Sequence, residues 1–256
     1  FSLAHFYERR ARRILPALLA TCGLSLVAAW FVMAPSVLVE FAVHLAAALL
    51  FAANAVYWMQ ADYFATSAQL LPLLHTWSLA VEEQFYFVYP AILLIIVRLP
   101  AAGRIAALAG LTLLSFACAV IVSARSPDAA FYLLPNRLWE LTAGALIATN
   151  ELRRAAAGCV PLSHSRPAPF LAAAGVVACI LAATGLWTPL SHPGWATLIP
   201  VCGAGLFLAF ARSASGSGRI LSLGPLVGLG LISYSLYLLH QPVLAFGRIW
   251  LARPLT

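Results

Sequence analysis

Residues 75–90 read HTWSLAVEEQFYFVYP. Drawn as an α-helix, they place His75, Ser78, Glu82, Tyr86 and Tyr89 on one stripe, at steps of three, four, four and three residues. Glu83 is turned about 100° away, beside Thr76 and Leu79 on the neighbouring face. The rest of the stretch is apolar enough for a lipid bilayer, where a charge near the centre costs roughly 2.5 to 3.5 kcal/mol on insertion scales. Such a stripe faces a bundle interior or a watery cavity. Bonding between neighbouring helices would account for the two glutamates alone. A His, a Ser and two Tyr beside them exceed what packing needs and point to a functional site.

The chain around this stretch has the same character. It has 256 residues, of which 63% are hydrophobic and only 9% charged, and its mean hydropathy is +0.93. These values exclude a soluble domain with a polar shell. Apolar runs long enough for a hydrocarbon core appear at 14–33, 39–58, 79–97, 105–122, 138–149 with its flanks, 170–187, 196–211 and 226–246. The expected fold is all-α, a polytopic transmembrane helical bundle of seven or eight spans, with residues 1–256 forming one integral-membrane domain. No alternation suggests a barrel, so helices are the only way to satisfy the backbone in lipid. Gly- and Pro-containing breaks separate the spans, as at Ala34 to Ser36, Leu99 to Gly103 and Gly158 to Pro169.

All 15 basic residues are arginine and the net charge is +7. In a soluble protein that could mean nucleic acid; here the arginines fall at span ends, so no nucleic-acid partner is expected. The five cysteines are scattered without metal spacing, so no metal is expected. His5, His164 and His192 are expected in solvated loops, and His44 and Asn54, in the re-entrant candidate, carry little information. Strict alternation from a cytoplasmic Arg9, Arg10, Arg12 and Arg13 puts seven further arginines outside, a poor fit to the positive-inside rule. If the segment from Val39 to His75 instead returns to the side it left, only Arg125, Arg137, Arg248 and Arg253 remain outside. An irregular, re-entrant segment is therefore expected just before the quoted motif, lining a cavity beside the two glutamates.

Three further polar islands stand in the apolar background. In FYERRARRILP, residues 6–16, four arginines open a span; they fix topology and could also hold phosphates by charge-assisted bonds. In PNRLWELTAGAL, residues 135–146, Arg137 and Glu140 are three apart and can pair on one helix face, either as a self-satisfied pair or as a fixed positive charge facing the glutamates' cavity. In ISYSLYLLHQPVL, residues 232–244, Ser233, Tyr237, His240 and Gln241 share a stripe, and Pro242 frees a backbone carbonyl. His240 is either a general base or a hydrogen-bonded structural histidine.

In this order the islands resemble acyltransferase family 3, membrane-bound O-acyltransferases of bacterial envelope glycans. The resemblance rests on residues 6–19, 75–90, 136–148 and 230–244, spans nearly the whole chain, and is most specific in WSLAVEEQFY. It implies a multi-pass protein of the bacterial inner membrane that moves an acyl group, acetyl the expected one, from acyl-CoA to a sugar hydroxyl, with no bound cofactor. Carried onto this chain, Glu82, Glu83 and His240 become the catalytic candidates. Arg9, Arg10, Arg12 and Arg13 face the donor phosphates, and Arg137, paired with Glu140 at rest, stabilises negative charge. His75, Trp77, Ser78, Tyr86, Ser233, Tyr234 and Tyr237 shape the substrate path. The family's pattern also has a first helix with an Arg and, some turns later, an essential His; no such pair occurs here. That points to a fragment lacking one or two N-terminal helices, or to a degenerate homologue acting as a scaffold. A transporter or flippase of a glycan or lipid intermediate is the rival reading, since it too needs intramembrane charge and broken helices.

The topology is open to a direct check. In a cysteine-free background, single cysteines at Ser36 and Gln69 are expected to react with a membrane-impermeant maleimide from the same side, and one at Gly103 from the opposite side. Labelling of Gln69 from the side opposite Ser36, with Gly103 on the Ser36 side, would restore regular alternation and remove the re-entrant segment.

Overall fold

The computed structural model describes residues 2–61, 68–184, 194–212 and 216–251, so the expected positions of His192 and Arg253 lie outside the described residues. Every regular element among the described residues is helical. In chain order these are α1 (Leu3–Val32), α2 (Pro35–Leu49), α3 (Ala53–Met59), α4 (Thr76–Ile96), α5 (Ala101–Ser123), α6 (Pro127–Tyr132), α7 (Leu134–Ala156), α8 (Ala168–Ala183), α9 (Leu198–Phe210), α10 (Gly216–Leu221) and α11 (Gly224–Leu251). Four of them, α1, α4, α5 and α11, are long and apolar enough to cross a membrane, and α2, α8 and the segment Trp195–Phe210 are shorter apolar helices. This is a helical membrane bundle. The expected span at 138–149 lies inside α7, whose 23 residues also carry Arg137, Glu140, Glu151, Arg153 and Arg154.

The chain forms two compact units, Phe1–Pro90 with Gly230–Thr256, and Ala91–Leu229. The core of the first is a stripe along α1, Ile14, Leu18, Cys22 and Ala29, packed with Phe41 and Ala48 of α2, Leu73, Leu79 of α4 and Leu238 of α11. The spacing of four and seven residues is that of one helix face. On the opposite side of α1, Leu24, Val27, Trp30 and Phe31 are left exposed, as a lipid-facing surface requires.

The span expected at 39–58 is not one helix. It breaks at Leu50 to Ala52, where Phe51 adopts a left-handed φ of 52°, a conformation that costs a bulky residue of order 1–3 kcal/mol unless its surroundings enforce it. Gln84 of α4 does so: its Nε2 donates to the Phe51 carbonyl at 2.9 Å and to Asn54 Oδ1 at 2.8 Å, and Asn54 Nδ2 donates back to Gln84 Oε1 at 3.2 Å. Further on, a short 3₁₀ turn (Ala68–Leu70) and loose turns lead to α4. Their carbonyls accept further donors from α11: Arg248 donates to Gln69 O at 3.2 Å, Gln241 to Leu71 O at 3.1 Å and Tyr237 to His75 O at 2.6 Å. Irregular backbone is thus accommodated because each of these polar groups finds a protein partner.

In the second unit α5 and α7 run antiparallel. Thr112 donates to Thr142 Oγ1 at 2.9 Å, and Ser115 Oγ bridges the Pro135 carbonyl (2.6 Å) and the Trp139 N–H (2.9 Å), one turn apart. Asn136 is buried between Cys118 Sγ (3.2 Å) and the Ala129 carbonyl (2.9 Å). The α8–α9 pair closes on glycines: a Cβ on Gly175 would lie 2.5 Å from the Gly203 oxygen and 2.8 Å from the Phe207 nitrogen.

That approach predicts a contrast between two helix glycines. Gly175→Ala should lower stability by about 1–3 kcal/mol, the usual effect of overpacking. Gly110→Ala, whose added Cβ meets nothing within 4 Å, should be neutral or slightly stabilising. Thermal unfolding of the full-length protein in detergent separates the two.

Candidate active site

Two clusters of polar side chains lie within the first unit, both built on α4. The first joins α1 to α4. Arg10 sits four residues before Ile14, so it continues the buried stripe of α1, whereas Arg9, Arg12 and Arg13 fall off it and are exposed. Its Nη2 donates to Glu83 Oε1 at 2.5 Å and lies 3.6 Å from Glu82 Oε1, and its guanidinium stacks over the Tyr86 ring at 3.2 Å from the centroid. The side chain of Glu83 is 9% exposed and that of Glu82 48%. The stripe drawn from the sequence therefore needs correction. Glu83's face turns into the bundle and Glu82 stands at its edge, because the arginine partner comes from α1 on Glu83's side. Tyr7 braces the same contact, its hydroxyl donating to the carbonyls of Tyr86 and Phe87 at 3.4 Å each and its ring stacking on Phe87.

The second cluster joins the start of α4 to α11. Tyr237 donates to the His75 carbonyl, which obliges Ser78 to donate to the Tyr237 oxygen. The rings of His75 and His240 lie 5.2 Å apart, and that of His75 is also 5.2 Å from Tyr237. His75 is buried. Pro242, which has no N–H, leaves the Leu238 carbonyl one turn earlier without its helical donor. The His240 ring is exposed, and its Nδ1 lies 2.6 Å from the Tyr237 carbonyl. A carbonyl can only accept, so Nδ1 carries the proton and Nε2 presents a lone pair when the ring is neutral.

Tyr234 connects the clusters. Its hydroxyl, on the helix that carries Tyr237 and His240, donates to the Ile14 carbonyl of α1 at 3.2 Å, one turn beyond Arg10. Of the other residues singled out in the sequence, Trp77 is half-buried in the first turn of α4, and Ser233 is exposed, donating to the Gly230 carbonyl at 2.8 Å. Arg12 pairs with Glu8 at 2.7 Å. Arg137 and Glu140 belong to the second unit and pair at 2.9 Å on one face of α7, with Arg137 Nε also donating to the Phe131 carbonyl at 3.1 Å. Sequence reasoning missed Gln84 and Tyr7. Gln84 gave a signal, an amide beside two carboxylates in an apolar helix; Tyr7 gave none.

The chain belongs to the acyltransferase family 3: the model of its acyltransferase domain matches residues 1–255. Relatives agree. "Putative membrane-bound transacylase BcsY" of Komagataeibacter xylinus is 36% identical over 94% of this chain and 59% of its own length. "Putative peptidoglycan O-acetyltransferase YrhL" of Bacillus subtilis is 31% identical over 93% of this chain and 39% of its own. "Peptidoglycan O-acetyltransferase OatA" of Listeria monocytogenes is 26% identical over 94% and 40%. The chain thus spans between two fifths and three fifths of these relatives' lengths. No solved structure matches it.

The Arg10–Glu83 contact yields a stability prediction. Removing one partner of a buried ion pair strands the other, at about 3–5 kcal/mol. Glu83→Ala should therefore destabilise the full-length protein by that order, whereas Glu82→Ala should cost under about 1 kcal/mol, as for an exposed pair. The double change Arg10→Met with Glu83→Leu should regain most of the loss. Denaturation midpoints of the four proteins in one detergent check this.

Proposed function

We propose that this protein is a membrane O-acyltransferase that moves an acyl group, acetyl in the simplest case, from acyl-CoA to a sugar hydroxyl of an envelope polysaccharide, lipopolysaccharide or related glycan. The reading places it in the cytoplasmic membrane of a bacterium, with residues 1–256 acting as one catalytic domain. One observation carries it: in a chain of an acyltransferase family, α1, α4 and α11 gather Arg10 with Glu82 and Glu83, and Tyr237 with Ser78, His75 and His240, within one unit. None of the relatives named above is described as a transporter, and no feature of the site favours that rival.

Acyl transfer to an alcohol needs a base, a stabilised oxyanion and an aligned donor. In this mechanism His240 Nε2 takes the proton of the sugar hydroxyl as its oxygen attacks the thioester carbonyl carbon. The tetrahedral oxyanion collapses, the carbon–sulfur bond breaks, and the CoA thiolate receives the proton from His240. Glu82, accessible and held near Arg10, orients the acceptor. Glu83 keeps Arg10 in place, and Tyr237 and Ser78 with His75 fix the geometry of His240. Trp77, Tyr86 and Ser233 line the path. Arg9, Arg12 and Arg13, exposed at the helix end, hold the donor's phosphates, and Arg137 with Glu140 supplies fixed charge in the second unit.

Membranes containing the full-length protein should transfer label from radioactive acetyl-CoA to envelope glycan. At matched expression, His240→Ala should slow transfer by 10²–10⁴-fold, the usual range for a lost general base, and Glu82→Gln at least tenfold. Transfer no higher than in vector-only membranes would overturn the reading, and full activity in His240→Ala would remove that residue from the chemistry.

A further inference from the structure

The second unit contains a cavity of about 660 Å³, within the range of ligand sites. Its walls are apolar and come from α5 (Thr112, Phe116), α7 (Trp139, Ile147) and α9 (Leu206, Phe210). The register of the α5–α7 hairpin decides which end of it meets charge. Thr112 lies against Thr142 and Ser115 against the Trp139 N–H. Continued along the antiparallel pair, that register brings Arg104 level with Asn150, which lines the cavity. Arg153 and Arg154 follow Asn150 by three and four residues, on the same helix face. Arg153 is exposed, and Arg154 reaches back to the Val160 carbonyl at 2.8 Å, in the turn that carries Leu162 to the cavity wall. Glu151, 3.7 Å from Arg154, is the only carboxylate at this end among the described residues.

The apolar trough therefore ends near three arginines, of which Arg104 donates through Nε to the Leu99 carbonyl at 2.8 Å. From Trp139 to Asn150 the trough follows about 16 Å of helix, close to half of a 30 Å hydrocarbon core, the depth of one leaflet. We propose that it binds an anionic phospholipid, with an acyl chain along the trough and the phosphate at Arg104, Arg153 and Arg154. A chain alone would need no arginines, and a free phosphate would need no trough. The positive-inside rule puts these arginines on the cytoplasmic side, where the leaflet is anionic. The proposal does not depend on the assignment of the acyl-transfer residues.

The test places full-length protein in phosphatidylcholine nanodiscs with a trace of phosphatidylglycerol bearing a diazirine in its acyl chain, and maps the photolabel by peptide mass spectrometry. Label should concentrate on the peptides holding Ile147 and Leu206, at least tenfold above that from a phosphatidylcholine probe. Arg153→Gln, at an exposed side chain that supports no part of the wall, should reduce it about fivefold. Ala143→Trp should remove it by filling the trough. Three outcomes would overturn the proposal: equal labelling by the two headgroups, label spread evenly over the membrane-facing helices, or displacement of the probe by long-chain acyl-CoA but not by unlabelled phosphatidylglycerol.

Discussion

The contact between Arg10 and Glu83 is the constraint around which the first unit is arranged. Both side chains are largely buried, and neither can enter an apolar environment without the other. Meeting at 2.5 Å, they fix the rotation of α1 and α4 together: Arg10 lies on the stripe that also carries Ile14, Leu18 and Cys22, so pairing it aims that stripe at the core. Buried ion pairs contribute little net stability against apolar replacements. What they contribute here is register, and the same register brings Tyr86 under the guanidinium and leaves Glu82 at the accessible edge.

A second constraint is backbone satisfaction at the break after α2 and in the turns just before α4. Chain that leaves the helix within an apolar bundle exposes carbonyls that water cannot reach. Gln84 on α4, and Tyr237, Gln241 and Arg248 on α11, add side-chain donors to these carbonyls. The donor at Tyr237 also sets Ser78 and places the rings of His75 and His240 against each other. The polar residues that attract functional interest are therefore held by the same bonds that make the irregular segment tolerable. A site can be rigid in a membrane when the structural and the chemical demands fall on the same side chains.

Much of this was legible beforehand. Long apolar runs announced helices, arginine placement announced an irregular segment before α4, and the three-residue spacing of Arg137 and Glu140 announced their pair. The motif around Glu82 and Glu83 pointed to the family that the comparisons support. The error concerned facing. A stripe drawn through His75, Ser78, Glu82 and Tyr86 treated Glu82 as the inward carboxylate, whereas Glu83 is the buried one. Periodicity within one helix gives the relative angle of two side chains but not which of them meets a partner. Among four arginines, the one in phase with Ile14 and Leu18 could have been chosen from spacing; that it would meet a glutamate some seventy residues later could not.

The sequence by itself determined that this chain is a bundle of membrane helices carrying a few intramembrane charges, because solvation in lipid leaves a long apolar run no other structure and allows a charge only where something answers it. Only the tertiary structure decided which charges answer one another. Helix rotation and the path of the broken segment are set by packing between elements distant in sequence. That packing turned Glu83 toward Arg10, left Glu82 accessible and set His240 beside His75.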